Sequence, residues 1–514
     1  MQSLYLRDTT TFLQRVRYNP DTYTLVDIPR SIDFRPSFPY PVEVGRYSLI
    51  LIAFLMATAA LSQITPPGDP VRGRVPSRVI CLDDPTQSYA LYLPSQYSPS
   101  RSWPVLYAFD PFARGKTAVE VYQAAAEKYG YIVAGSNNSK NGPTSPQLAA
   151  AQAVWSDTHK RFNIDKNRVY TTGLSGGARM ATSFALYCYT CSVAGVIAHG
   201  AGYPANQNSK PPANDSFLYY AVVGDEDFNY PEIVTLRRKK DDSGAAFKVK
   251  AYPGPHQWAP PEIAADAIEW LELKAMQAGT RQVDPAFVKR ILEQTKAEAA
   301  QAEQRNDALN QYYELRSLVS DFKGLEDTTE FQGKLSQLKN SKALKNALRN
   351  EEHEIDEQAS LTATAEEELG RLGQADPASQ PGLVQHIASV MSDLRRHSKS
   401  NSGDHLVYSR AFMQLWIQGI EIGQDEFRNN HIPQAATYFE LMANTSPDQA
   451  WPLILLAETR VRTGNKKGAM KAIEEATHRG LKRSQTLTED PELQPLASDP
   501  AFQRIVQTLT QNAH

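Results

Sequence analysis

Between residues 88 and 276, short apolar runs alternate with longer helical ones, and this alternation restricts the possible folds more than any other feature. SYALYLP (88–94), PVLYAFD (104–110), YIVAGS (131–136), RVYTTG (168–173), VAGVIAHG (193–200), SFLYYAVVG (216–224) and FKVKAYPG (247–254) have the length and composition of strands. TAVEVYQAAAEKYG (117–130), SPQLAAAQAVWSDTHKRF (145–162), GGARMATSFALYCY (176–189) and PPEIAADAIEWLELKAM (260–276) read as helices between and after them. Strands separated by helical crossovers pair in parallel, so a mostly parallel sheet with helices on both faces is expected over residues 78–278.

Beyond about residue 280 the strand signal stops. Residues 283–375 are rich in Ala, Glu, Gln, Lys and Leu, with Phe287, Ile291 and Leu292, then Leu309, Tyr312, Leu315, Leu318 and Phe322, at helical spacing. A polar stretch, GQADPASQPG (373–382), separates these long helices from a last helical block at 383–510. Within it, AWPLILLAETRVRTGNKKGAMKAIEEA (450–476) puts Leu453, Leu456, Ala457, Gly464, Ala469, Ile473 and Ala476 where a tetratricopeptide repeat has its small and apolar residues. The stretch resembles that family. The unit before it, with Trp416, Gly419, Ala435, Ala436, Tyr438, Phe439 and Pro447, follows the pattern more loosely. Stacked helix pairs of this kind can hold a protein partner in a groove; a structural cap or dimerisation arm is the other expectation.

The segment RYSLILIAFLMATAALSQ (46–63) stands apart. An arginine precedes about fifteen mostly apolar residues, and small residues follow at Ala60-Leu61-Ser62. The run is short for a membrane span and has the order of a secretory signal peptide, placed at 46–62, which predicts a secreted or periplasmic protein beginning near Gln63. A membrane anchor is the alternative. Residues 1–45 show no periodicity and are expected to be disordered or to precede a true start near Val44.

The net charge is −3, and the longest basic run is RRKK at 237–240, expected to be a solvated helix face; neither suits a nucleic-acid partner. Three cysteines are too few for a disulfide framework or a zinc cluster. Cys188 and Cys191 can close a small disulfide, Cys81 can pair with either, or all three can be buried thiols.

Chemistry concentrates at VYTTGLSGGARMA (169–181). A serine between glycines, after a strand and before an Ala-rich helix, has the setting of a nucleophile elbow: the glycines permit the sharp turn, and the helix N-terminus favours developing negative charge. Serine needs a base held by an acid, and in this arrangement the order is Ser, acid, His. VVGDEDFNY (222–230) supplies Asp225 and Asp227 after a strand, with Asp227 preferred three residues past Gly224, and YPGPHQW (252–258) supplies His256 after the last strand. His199 precedes the acid and is expected to be structural or a pocket wall. Tyr107, Phe109, Phe112, Phe228, Tyr230 and Trp258 are candidates for an aromatic wall, chiefly Phe112 and Trp258. Asn137, Asn138 and Asn141 in SNNSKNG (136–142) are candidates for binding hydroxyls, or are turn residues.

The phrase FNIDKNRVYTTGLSGGARMA (162–181), with Asp165 and Arg168 in the lead to the strand, resembles secreted α/β-hydrolases of the polyhydroxybutyrate-depolymerase and feruloyl-esterase type, over residues 78–276. The resemblance implies an α/β-hydrolase sandwich with Ser175 as nucleophile, Asp227 as acid and His256 as base. It implies cleavage of small-molecule or polymer-attached carboxylic esters through an acyl-enzyme, without metal or organic cofactor. One departure stands out. Where such enzymes often carry His-Gly after the third strand, this chain has Asp110-Pro111-Phe112-Ala113-Arg114-Gly115, and Pro111 has no N–H. The expected oxyanion donors are therefore the backbone N–H groups of Phe112 and Gly176. A serine peptidase of the prolyl-oligopeptidase kind, or a silent hydrolase fold that serves as a scaffold for the helical repeats, are the competing readings.

Overall fold

The computed structural model of the chain describes residues 71–204, 217–241 and 246–512. The predicted signal segment 46–62 and the extension 1–45 lie outside the described residues. Eight strands form one sheet in the order β1-β2-β4-β3-β5-β6-β7-β8. They are β1 (Val79–Ile80), β2 (Ser88–Tyr92), β3 (Trp103–Phe109), β4 (Ile132–Ser136), β5 (Ile164–Leu174), β6 (Val193–His199), β7 (Leu218–Gly224) and β8 (Phe247–Tyr252). Pairing from β4 through β8 is parallel, and the edge strands β1 and β2 are antiparallel.

Buried on both faces, the strands send alternate side chains to two separate cores. Val105, Tyr107 and Phe109 face one, with Val154 of α2 (Thr144–Arg161), Ala178, Ala181 and Phe184 of α3 (Gly176–Tyr187), and Ile233 and Leu236 of α4 (Tyr230–Asp241). Leu106, Tyr170, Ile197 and Tyr220 face the other, with Val119 and Tyr122 of α1 (Gly115–Tyr129) and Ala264, Ile268 and Leu271 of α5 (Pro261–Gln277). This is the α/β-hydrolase fold. An all-α region follows it.

The helices that follow grow directly from α5, whose Leu273 and Met276 share a core with α6 (Pro285–Gln304), α7 (Ala308–Asp321) and α8 (Thr329–Asn340). The 31-residue α9 (Lys342–Leu372) then leads into α10 (Gln380–Ser398), α11 (His405–Arg428), α12 (Ile432–Thr445), α13 (Trp451–Arg462) and α14 (Lys466–His478). Each of α10 to α13 packs on the next, and a short α15 (Gln485–Thr488) and α16 (Pro500–Gln511) close the chain. Among the described residues no helix is long and apolar enough to cross a membrane.

One sequence expectation is overturned and one open question is resolved. The RRKK run is not a solvated face: Arg237 is buried against Tyr313 and pairs with Glu351 of α9 at 2.6 Å, and Lys240 is buried over Tyr203. The run lies on α4, a helix without a clear apolar period because it is sandwiched between the sheet and α9. The cysteines, left open above, resolve as a Cys188–Cys191 disulfide and a buried Cys81 whose thiol burial pushes up to about 12.

In the last helices, burial and then the charge and hydrogen bond of Asp490 push the Glu458 carboxyl up to about 9. Its ordinary value is 4.5, so between the two the folded protein keeps a proton that the unfolded chain has released. Stability should therefore fall as pH rises through that window. Glu458→Gln is expected to raise Tm above wild type by an amount that grows from about pH 5 to about pH 9 and vanishes near pH 4. A difference independent of pH in the same melts would contradict the assignment.

Candidate active site

Ser175 sits between the end of β5 and the start of α3 with φ 55° and ψ −123°. That conformation is strained for any residue with a side chain, at about 1–3 kcal/mol, and persists only where the surroundings enforce it. Here they do. A Cβ on Gly173 would stand 2.6 Å from the Ala178 nitrogen, and one on Gly177 would stand 2.7 Å from the Phe109 carbonyl carbon. Helix α3 thus packs against β3 and β5 backbone to backbone. The Ser175 carbonyl accepts from Ala178 and Arg179, and its N–H donates to the His199 carbonyl at 2.8 Å. The side chain is left partly exposed at the C-terminal edge of the sheet.

Asp227 and His256 come to the same edge from the loops after β7 and β8. His256 Nδ1 lies 2.8 Å from both carboxylate oxygens of Asp227, which is 1% exposed. The Asn229 N–H also donates to Asp227 Oδ1, at 2.8 Å. A Cβ on Gly200 would meet Asp227 Oδ2 at 2.6 Å and His256 Cε1 at 3.0 Å. The residue before it, His199, holds the Ser175 N–H, so the pair lies one residue along the chain from the serine's own hydrogen bond. Asp225 faces elsewhere: its carboxylate accepts from the Gly254 N–H at 3.0 Å and ties the two loops together.

His199 is fully buried, with Nε2 2.6 Å from the Tyr122 hydroxyl, and burial drives its pKa down to about 3. It is a neutral core residue, as are Tyr107, bonded to Thr158, and Phe109. Asn137 and Asn138 spend their amides on Ser77, Ser88 and Thr86. Among the described residues no group of three or more His, Cys, Asp or Glu is placed to hold a metal ion.

The loop after β3 differs from expectation. The buried Asp110 carboxylate gathers the N–H groups of Phe112 (2.8 Å) and Arg114 (3.3 Å), both ends of the Arg114 guanidinium (2.9 Å each) and the Trp258 indole N–H (2.9 Å). A buried charge must be paired and hydrogen-bonded, so this loop turns its donors inward. The Phe112 N–H, expected to face an oxyanion, is committed to Asp110. Trp258 packs against His199 and Tyr122, and the half-exposed Phe112 ring stands edge-on to Trp451 of α13 at 5.7 Å.

That aromatic contact belongs to a wider feature absent from the local sequence signals. The helices lie over the loop that carries Asp227. Arg410 of α11, 2% exposed, donates to the Asp225 carbonyl (3.0 Å), Gln358 Oε1 of α9 (3.0 Å) and Glu354 Oε2 (3.1 Å), and stacks over Tyr230. Gln358 donates in turn to the Phe228 carbonyl at 3.1 Å, and Phe228 rests against the His256 ring at 4.4 Å. Three turns further along the same face of α11, Glu421 lies within electrostatic reach of Arg179 and His256, and desolvation raises its pKa.

No family model matches the chain, and no curated protein does. Among solved structures it is similar to a Staphylococcus aureus fluorophosphonate-binding serine hydrolase (15% identity, 36% of this chain and 92% of that one, TM-score 0.30). It is also similar to S. aureus S-formylglutathione hydrolase (15%, 39% and 98%, 0.31) and to a mutant feruloyl esterase module from Clostridium thermocellum complexed with sinapinate (15%, 39% and 89%, 0.31). Likenesses at this level carry no information about activity.

Arg410→Met would leave the Asp225 carbonyl and Gln358 short of a buried partner. It should cost about 2–4 kcal/mol in denaturant unfolding. Amide exchange over residues 225–230 should quicken. Unchanged exchange there would mean that α11 does not hold the loop.

Proposed function

We propose that the chain is a serine hydrolase that cleaves carboxylic esters through an acyl-enzyme on Ser175. The observation that supports the reading most is the strained Ser175 turn at the same sheet edge as a hydrogen-bonded Asp227–His256 pair. In this reading Ser175 Oγ attacks the ester carbonyl while His256 takes its proton. Asp227 fixes the imidazole through Nδ1 and balances the imidazolium that forms. Negative charge on the former carbonyl oxygen meets the N-terminus of α3, where Gly176 has an N–H without an intrahelical acceptor. His256 returns the proton to the departing alcohol, and water then releases the acid by the same steps in reverse order.

The Cys188–Cys191 disulfide supports export to an oxidising compartment, in keeping with the proposed signal segment 46–62. A protein partner on the helical repeats of 383–510 is a separate proposal, read by whether the purified chain retains a binding protein that a version altered on the outer faces of α12 to α14 loses.

Purified protein should hydrolyse p-nitrophenyl esters of short and aryl acids, with p-nitroanilides turned over far more slowly. Ser175→Ala should lower kcat at least about 10³-fold with the fold intact by circular dichroism. Preferred turnover of anilides would favour the peptidase reading, and equal turnover by wild type and Ser175→Ala would remove the serine from the mechanism.

A further inference from the structure

With the Phe112 N–H committed to Asp110, the proposed site has one backbone donor, Gly176, where acyl transfer ordinarily uses two. The Asn141 side chain occupies the neighbouring space. A Cβ built on Gly176 would overlap Asn141 Oδ1 and stand 2.8 Å from its Cγ and 3.1 Å from Nδ2. The carboxamide therefore lies directly over the first residue of α3, beside the nucleophile. Gly176 has an ordinary helical backbone, since its φ is not among the positive ones. What requires glycine there is the room that the Asn141 amide takes up.

The amide is carried to this place by the loop after β3 itself. The Asn141 N–H donates to the Pro111 carbonyl at 2.8 Å, and Lys140 pairs with Phe112 as an isolated antiparallel bridge. The segment 110–112 is thus zipped to 140–141. The loop has turned its own N–H groups towards Asp110 and offers its carbonyl to the segment that holds Asn141. Among the described residues the Asn141 carboxamide has no hydrogen-bond partner, and the residue is exposed. Its two ends differ only by rotation about one bond, so Nδ2 can be turned to whatever acceptor the site presents.

We propose that Asn141 is the second oxyanion donor, its Nδ2–H acting with the Gly176 N–H on the tetrahedral intermediate. The inference rests on Ser175 being the nucleophile. A side-chain donor in this place is worth most in the transition state, where the oxygen carries charge, and little in the ground state.

The experiment measures kcat, KM and the affinity of an aryl boronic acid, a tetrahedral adduct former, in wild type, Asn141→Ala, Asn141→Asp and Ser175→Ala. Asn141→Ala should lower kcat roughly 10²- to 10³-fold with a much smaller change in KM, and weaken the boronate in parallel. Asn141→Asp, equal in shape but negative and without a donor, should fall at least as far. A double-mutant cycle guards against a purely structural effect: Gly176→Ala, which displaces the amide, should cost much less in the Asn141→Ala background than alone. Asn141→Ala with wild-type kcat, or Gly176→Ala and Asn141→Ala effects that multiply without coupling, would overturn the proposal while leaving the serine reading in place. A wild-type protein whose activity survives Ser175→Ala would overturn both.

Discussion

The architecture of the site depends on one backbone constraint, the close approach of α3 to β3 and β5. Gly173, Gly177 and the Phe109 carbonyl lie so near one another that no Cβ fits at either glycine. This crowding leaves Ser175 no relaxed conformation; it is held at positive φ by its own hydrogen bonds to Ala178, Arg179 and His199. The strain of about 1–3 kcal/mol is offset by the two cores that clamp the sheet between helices. The parallel order β5-β6-β7-β8 then delivers the Asp227 and His256 loops to the serine's edge of the sheet.

Buried charge organises what surrounds that turn. Asp110 cannot be left unpaired at 1% exposure, and five donors converge on it. The consequence reaches the site, because one of those donors is the Phe112 N–H, expected from the sequence to face the oxyanion. The same principle places Arg410, a fully enclosed cation whose donors are shared among the Asp225 carbonyl, Gln358 and Glu354. Through it the all-α region becomes part of the wall around the Asp227 loop rather than a separate appendage.

The alternation of apolar runs made the sheet and its flanking helices legible, because strands buried on both faces must be continuous and apolar. Two elements escaped it. β1 has only two residues, and α4 carries the basic run RRKK, whose Arg237 and Lys240 are buried by pairing and stacking rather than by apolar character. Around the site, Ser175, Asp227 and His256 each follow a strand directly, so their arrival at one edge of the sheet is a matter of topology. The Phe112 N–H and the Arg410 contacts are different in kind. Which acceptor an N–H chooses depends on the burial of Asp110, and the partner of Asp225 lies 185 residues away. No local pattern encodes either. Asn141 had a signal, a run of asparagines after β4, but its place over Gly176 depends on the pairing of two loops.

In the proposed mechanism this turn holds an activated serine. The most direct measurement is covalent labelling of the folded protein with a fluorophosphonate, with the modified peptide identified by mass spectrometry. A fluorophosphonate reacts fast only with a serine served by a base and an oxyanion site. A single adduct on Ser175 is expected, with none formed when the protein is unfolded before the probe is added. A folded protein that stays unlabelled, or that carries its adduct on another residue, would contradict it.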